Sequence, residues 1–174
     1  MTPKPLIRML TGIALIGTVL MGCESKHPGE GTMNNTASFN PSEQVEAATS
    51  VLRRYEAALN RADVDAIVSL YTPDAVFMAQ HRNPAVGRAE IETAYREIFG
   101  MIRLDITFEI DEVVVVSSTV AYARTRSAGT TTILANDAQV TEANQELFVL
   151  VRDDQSSDWR IGRYIFSTTQ PPRN

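Results

Sequence analysis

Tyr55, His81 and Glu146 are the residues whose type and setting suit acid–base chemistry on a small organic molecule. Tyr55 lies on a stripe with Val45, Ala48, Leu52 and Leu59, at spacings of 3, 4, 3 and 4 that set one phenol among apolar side chains. It is either a core tyrosine or a phenol projecting into a pocket. Glu146 shares strand parity with Phe148 and Leu150. A carboxyl in line with two apolar side chains either lines a pocket, where it can serve as a catalytic acid, or pairs with a cation such as Arg124, Arg126 or Arg163. His81 sits beside Arg82 on a polar loop. An imidazole can take up or give a proton, and this one is either a rim residue or a proton acceptor.

Other chemistries lack their parts. His27 and His81 are the only imidazoles and Cys23 the only thiol, so no intramolecular disulfide or cysteine-based metal site is available. A zinc centre would need carboxylates alone around one histidine. There is no glycine-rich phosphate loop, nucleophile elbow or histidine pair at helical ligand spacing. The expectation is a site with no metal and no cofactor.

Cys23 has a different reading. Lys4 and Arg8 precede an apolar run from Met9 to Met21, too short to span a bilayer as a helix, which takes about 20 residues. The run ends in Leu20-Met21-Gly22-Cys23, which resembles the bacterial lipoprotein cleavage box. That resemblance implies a signal peptide over residues 1–22, lipidation of Cys23, and a place in the cell envelope facing the periplasm or exterior. Residues 24–39 are polar, without apolar period, and read as a tether spanning on the order of 20 Å; His27 falls there as a solvated linker residue. Losing Lys4 and Arg8 from 16 basic residues leaves 14 against 21 acidic, a net charge of −7. That balance disfavours nucleic acid or anionic headgroups as partners; the membrane contact expected is through Cys23 alone.

One domain, residues 41–169, must position the three side chains, with a short tail over 170–174. Asn40-Pro41-Ser42-Glu43 predicts a capped helix start, and the Val45 to Leu59 stripe a helix of about 20 residues with Arg53, Arg54, Glu56 and Arg61 facing water. Asp63 caps a short second helix broken by Thr72-Pro73, and Ala75 to Met78 is a short apolar segment before the loop carrying His81. A third helix opens at Gly87, buries Ile91, Ala94, Tyr95, Ile98 and Phe99, and stops at Gly100. Strands follow: Leu104 to Val116, Val120 to Leu134, Val140 to Val151 and Trp159 to Thr169. Trp159 and Ile161 read as core. Tyr164 and Phe166, on the other parity, are pocket residues provided that no bulge reverses the register. The fold class is α+β, three helices packed in a curved antiparallel sheet.

This order, with YTPDAVF after the second helix, GRAEIETAY opening the third and ELFVLVRD…WRIGRYIF closing the sheet, resembles the nuclear transport factor two-like superfamily. Within it the chain is most similar to the SnoaL-like branch that includes ketosteroid isomerase and polyketide cyclases. The resemblance implies a cone-like α+β barrel with an apolar pocket open at one end, and a homodimer through the outer sheet face. Tyr71, Phe77, Phe99, Phe148, Tyr164 and Phe166 are then the expected lining. It further implies a tyrosine from the first helix as oxyanion donor, near Tyr55, a protonated acid on a late strand, near Glu146, and a carboxylate base after the second helix. In ketosteroid isomerase itself, apolar surroundings keep such an acid neutral so that it can donate a hydrogen bond. The base falls near Met78, Ala79 or Gln80, none of which takes a proton at neutral pH, and His81 is the nearby substitute.

Two functions follow. In one, the anchored domain binds a small apolar or amphipathic molecule without turnover. In the other, it is an isomerase or cyclase acting on a cyclic or polyketide-like substrate, with Glu146, Tyr55 and His81 as its acid–base groups. Paired polar groups in an apolar cavity favour the first; convergence of the three on an empty site favours the second.

Overall fold

Asn40 begins the folded domain by accepting a hydrogen bond from Ser42 N at 3.1 Å, with Pro41 in the first turn of α1 (Pro41–Asn60). Glu43 completes this cap differently from the expected box. Its carboxylate accepts from the Asn40 side-chain amide at 2.9 Å, because asparagine brings a donor of its own. The computed structural model describes residues 40–153 and 158–171. The leader, Cys23, the tether with His27 and the last three residues lie outside the described residues.

α1 buries Ala48, Val51, Leu52, Tyr55, Ala58 and Leu59. Asp63 caps α2 (Val64–Ser69) by accepting from Ala66 N at 3.0 Å. β1 (Tyr71–Met78) begins earlier than the apolar segment suggested, because Thr72-Pro73 belongs to the strand and not to a break. Pro73 lies where the register to β6 shifts, between Tyr71 and Val76. Its missing N–H therefore interrupts no ladder bond there. After β2 (Ala85–Val86), Gly87 takes φ 80° and starts α3 (Arg88–Met101). That left-handed backbone suits glycine. Gly100 does not end the helix; the chain leaves it at Ile102, where Met101 O accepts from Leu134 N.

Four strands complete the sheet: β3 (Ile102–Val115), β4 (Val120–Ile133), β5 (Ala138–Val151) and β6 (Arg160–Thr168). The order is β2-β1-β6-β5-β4-β3. All pairs are antiparallel except β1 with β6, which run parallel. The curved sheet is thus mixed, not antiparallel throughout, and it does not close into a barrel. Chain order explains the first difference: β1 pairs with the last strand, a partner some ninety residues away that no local pattern reveals.

α1 covers part of the open edge. Asn60 donates to Ile106 O at 2.7 Å and accepts from Ile106 N at 2.9 Å. Arg53 donates to Phe108 O at 2.8 Å, and Glu56 accepts from Phe108 N at 3.2 Å. Glu56 therefore does not face water as its place off the apolar stripe suggested; it turns to the sheet. Edge backbone groups that would otherwise seek another strand are paired within the chain.

Gly162 resolves the parity of the last strand. The register shifts so that Leu150 faces Ile161 and Val149 faces Arg163, leaving Gly162 as the extra residue. Ile161 and Tyr164 are both buried as a result. The bulge is present, and it is what turns Tyr164 inward beside Trp159 and Ile161 instead of preventing it. Trp159 is core, its ring N–H donating to Gln44 Oε1 at 3.1 Å.

Candidate functional site

Between the helices and the inner sheet face lies a cavity of about 160 Å³. Tyr55, Leu59, Phe77, Tyr95, Ile106 and Tyr164 line it and are themselves buried. Ile98, Ile102, Leu104, Glu142 and Phe166 are its partly exposed lining, and form its open side. Thr131 and Asn144 add polar groups beside Glu142.

Three phenols form a chain at the deep end. The Tyr71 and Tyr95 hydroxyls are 3.1 Å apart, and the Tyr95 hydroxyl is bonded in turn to that of Tyr55. Burial pushes Tyr55, Tyr71, Tyr95 and Tyr164 well above the ordinary phenol range. All four are therefore neutral at physiological pH and act as hydrogen-bond groups, not bases. Tyr55 thus combines both readings of it. It is 1% exposed and packed edge-on against Tyr71, Tyr95, Phe148 and Tyr164, yet it contributes to the cavity wall.

Glu146 lies beside the cavity, not in its lining. It is 5% exposed, and its carboxyl accepts from Thr125 Oγ1. None of the three candidate arginine partners reaches it. Arg124 and Arg126 pair with Asp111 at 2.7 and 2.8 Å, and Arg163 lies 3.8 Å from Asp74. Strand parity is the reason: the arginines occupy the face opposite to Glu146. Burial raises its pKa, against hydrogen bonds from Ser127 and Thr125 that lower it.

The raised pKa has a consequence for stability. The native protein holds this proton more tightly than the unfolded chain, whose glutamates titrate near about 4.3. The stabilisation is complete below that value and is lost as pH rises through the native pKa. Glu146→Gln removes the dependence while keeping an acceptor for Thr125. Urea denaturation from pH 4 to 8 is expected to show the variant gaining on the wild type as pH rises; parallel curves would remove the case for a strained carboxyl.

His81 does not join the other two. It is exposed, with φ 60°, and its ring nitrogen lies 3.4 Å from the Gln80 side-chain amide. It lines no part of the cavity. Gln80, at the position where the resemblance places a base, accepts from Thr168 N. Among the expected lining residues, Phe77, Tyr164 and Phe166 reach the cavity, whereas Tyr71, Phe99 and Phe148 stand behind it. Phe148 is separated from it by Tyr164, on which it stacks at 4.2 Å; Phe99 stacks on Tyr95 at 5.9 Å.

Glu142, Asn144, Tyr95 and Thr131 are site residues that sequence reasoning missed. A usable signal existed for two of them, since Glu142 and Asn144 continue the parity of Glu146, Phe148 and Leu150 along β5. With the Asn144 amide turned to satisfy both neighbours, its nitrogen donates to Glu142 Oε1 at 3.1 Å and its oxygen accepts from Ser127 Oγ at 3.3 Å. Thr131 Oγ1 lies 3.4 Å from Glu142 Oε2.

The SnoaL-like domain family matches residues 52–159. This chain belongs to that family. A ketosteroid isomerase-like protein from Erwinia carotovora atroseptica is 34% identical, with 76% of this chain and all of that one covered at a TM-score of 0.72. A nuclear transport factor 2 superfamily protein from Salmonella enterica serovar Typhimurium is 20% identical over 76% of this chain and 95% of its own, at 0.66. A conserved protein from Planctomyces limnophilus is 22% identical over 73% and 98%, at 0.65. The last two share the fold. No curated protein matches the chain.

Proposed function

We propose that this SnoaL-like protein binds a small apolar or amphipathic molecule in the cavity without turning it over. The observation that supports the reading is that Tyr55, Glu146 and His81 do not converge on the cavity. Tyr55 is bonded to Tyr95, Glu146 to Thr125, and His81 lies outside. Acid–base groups held for catalysis would instead converge on the empty volume. The domain is anchored to the cell envelope through lipidated Cys23, as the LMGC motif suggests. It pairs as a homodimer through the outer sheet face, where Leu147 and Ile165 are 43% and 44% exposed and directly opposite one another.

A second reading rests on Glu142. Glu142 lines the same cavity as Tyr55 and Tyr95, which would give an isomerase or cyclase a proton acceptor and hydrogen-bond donors without His81.

Mass spectrometry of small molecules that co-purify with the full-length protein separates the two. The binding reading expects one molecule recovered unchanged after incubation, released by Ile98→Trp, which fills the open side of the cavity. Conversion of that molecule to an isomer, at a rate that Glu142→Gln lowers by about 10²-fold or more, would overturn it in favour of the enzyme.

A further inference from the structure

We infer that the ligand of this cavity is a single-ring organic cation, a protonated amine attached to one ring, with the ring among the aromatic walls and the ammonium at Glu142. The inference rests on the pocket reading above and narrows it by volume, by charge and by wall chemistry.

Volume sets the size. A dry cavity of about 150 Å³ holds one benzene ring, and this one is about 160 Å³. One ring with a short arm ending at the open side matches that volume, whereas a fused multi-ring skeleton would have to extend beyond it.

Charge sets the polarity. Glu142 borders the cavity, and no lysine, arginine or histidine does among the described residues. Its hydrogen-bond partners, Thr131 and Asn144, are neutral, and no ion pair forms to it among the described residues. The arginines that do form ion pairs are engaged by other carboxylates, Arg124 and Arg126 by Asp111 among them. A partly buried carboxylate without a cation is an incomplete arrangement, and a ligand ammonium completes it with a charge-assisted bond. A ligand carboxylate at the same place would meet like charge.

Wall chemistry agrees. Tyr55, Phe77, Tyr95, Tyr164 and Phe166 surround the volume with π-systems, and aromatic walls attract an adjacent cation through their ring quadrupoles.

The test is calorimetric titration of the full-length protein at pH 7 with benzylammonium, benzyl alcohol and benzoate, which share a ring and differ in the terminal group. Benzylammonium is expected to bind on the order of ten- to a hundredfold more tightly than benzyl alcohol, the range of a charge-assisted hydrogen bond, and benzoate more weakly than either. Glu142→Gln is expected to bring benzylammonium down to the affinity of benzyl alcohol while benzyl alcohol binding persists, which also reports that the variant is folded. If that variant loses benzyl alcohol as well, the wild-type ratio alone decides. Equal affinity of the amine and the alcohol, tighter binding of benzoate, or a preference that survives in Glu142→Gln would overturn the cation and leave the pocket standing. Absence of binding by all three would overturn both.

Discussion

Gly129→Ala is expected to cost about 3 kcal/mol or more of folding stability, the upper end of what overpacking does. A Cβ at this position would lie 2.1 Å from Asp105 O and 2.8 Å from Ile106 Cα. Both obstacles are backbone, so neither can swing aside. Relief requires β3 to move away from β4 at the Ile106–Gly129 pair, against the ladder on either side. Ile106 also lines the cavity, and Glu142 faces Gly129 from β5, so the wall that carries the proposed ligand contact would shift with it. For a domain whose total stability is about 5–15 kcal/mol, this is a large fraction, and it should appear as a lower urea midpoint together with loss of ligand retention. A variant within about 0.5 kcal/mol of the wild type, the range of an ordinary surface substitution, would show that the strands do not approach so closely.

The second large effect is expected at Tyr55, where two substitutions separate packing from hydrogen bonding. Tyr55→Ala removes a side chain in ring contact with Tyr71, Tyr95, Phe108, Phe148 and Tyr164. Truncating a buried aromatic residue costs about 3–5 kcal/mol. Tyr55→Phe keeps the ring and deletes only the hydroxyl bonded to Tyr95. Tyr95 retains Tyr71 as a partner, so the expected loss is about 1 kcal/mol. Thermal and urea unfolding of both variants checks the order. Equal losses would mean that the hydroxyl chain, and not the aromatic cluster, holds this end of the domain together.

The same residues show how far local pattern reaches. The α1 stripe and its Asn40 cap are readable because helix period and capping depend on neighbours three and four places away. Glu146 is readable as inward-facing because alternation with Phe148 and Leu150 needs nothing beyond the strand itself. Carrying that alternation two steps further back along β5 reaches Glu142, the carboxylate that does line the cavity. His81 has the chemistry of a proton acceptor, but its loop turns the imidazole to solvent, which no property of the residue forecasts.

By itself, then, the amino-acid order determined the helices and the long strands with their buried parities, along with the family likeness they carry. Those are short-range consequences of side-chain period and of backbone preference at asparagine, aspartate, proline and glycine. Tertiary structure alone decided that β1 lies parallel to β6, that Gly162 bulges so that Ile161 and Tyr164 share the interior, and that α1 side chains occupy the β3 edge. It also decided which carboxylate meets the cavity. Each of these depends on register between segments far apart in the chain, and a register one residue different would send the same side chains to the opposite face.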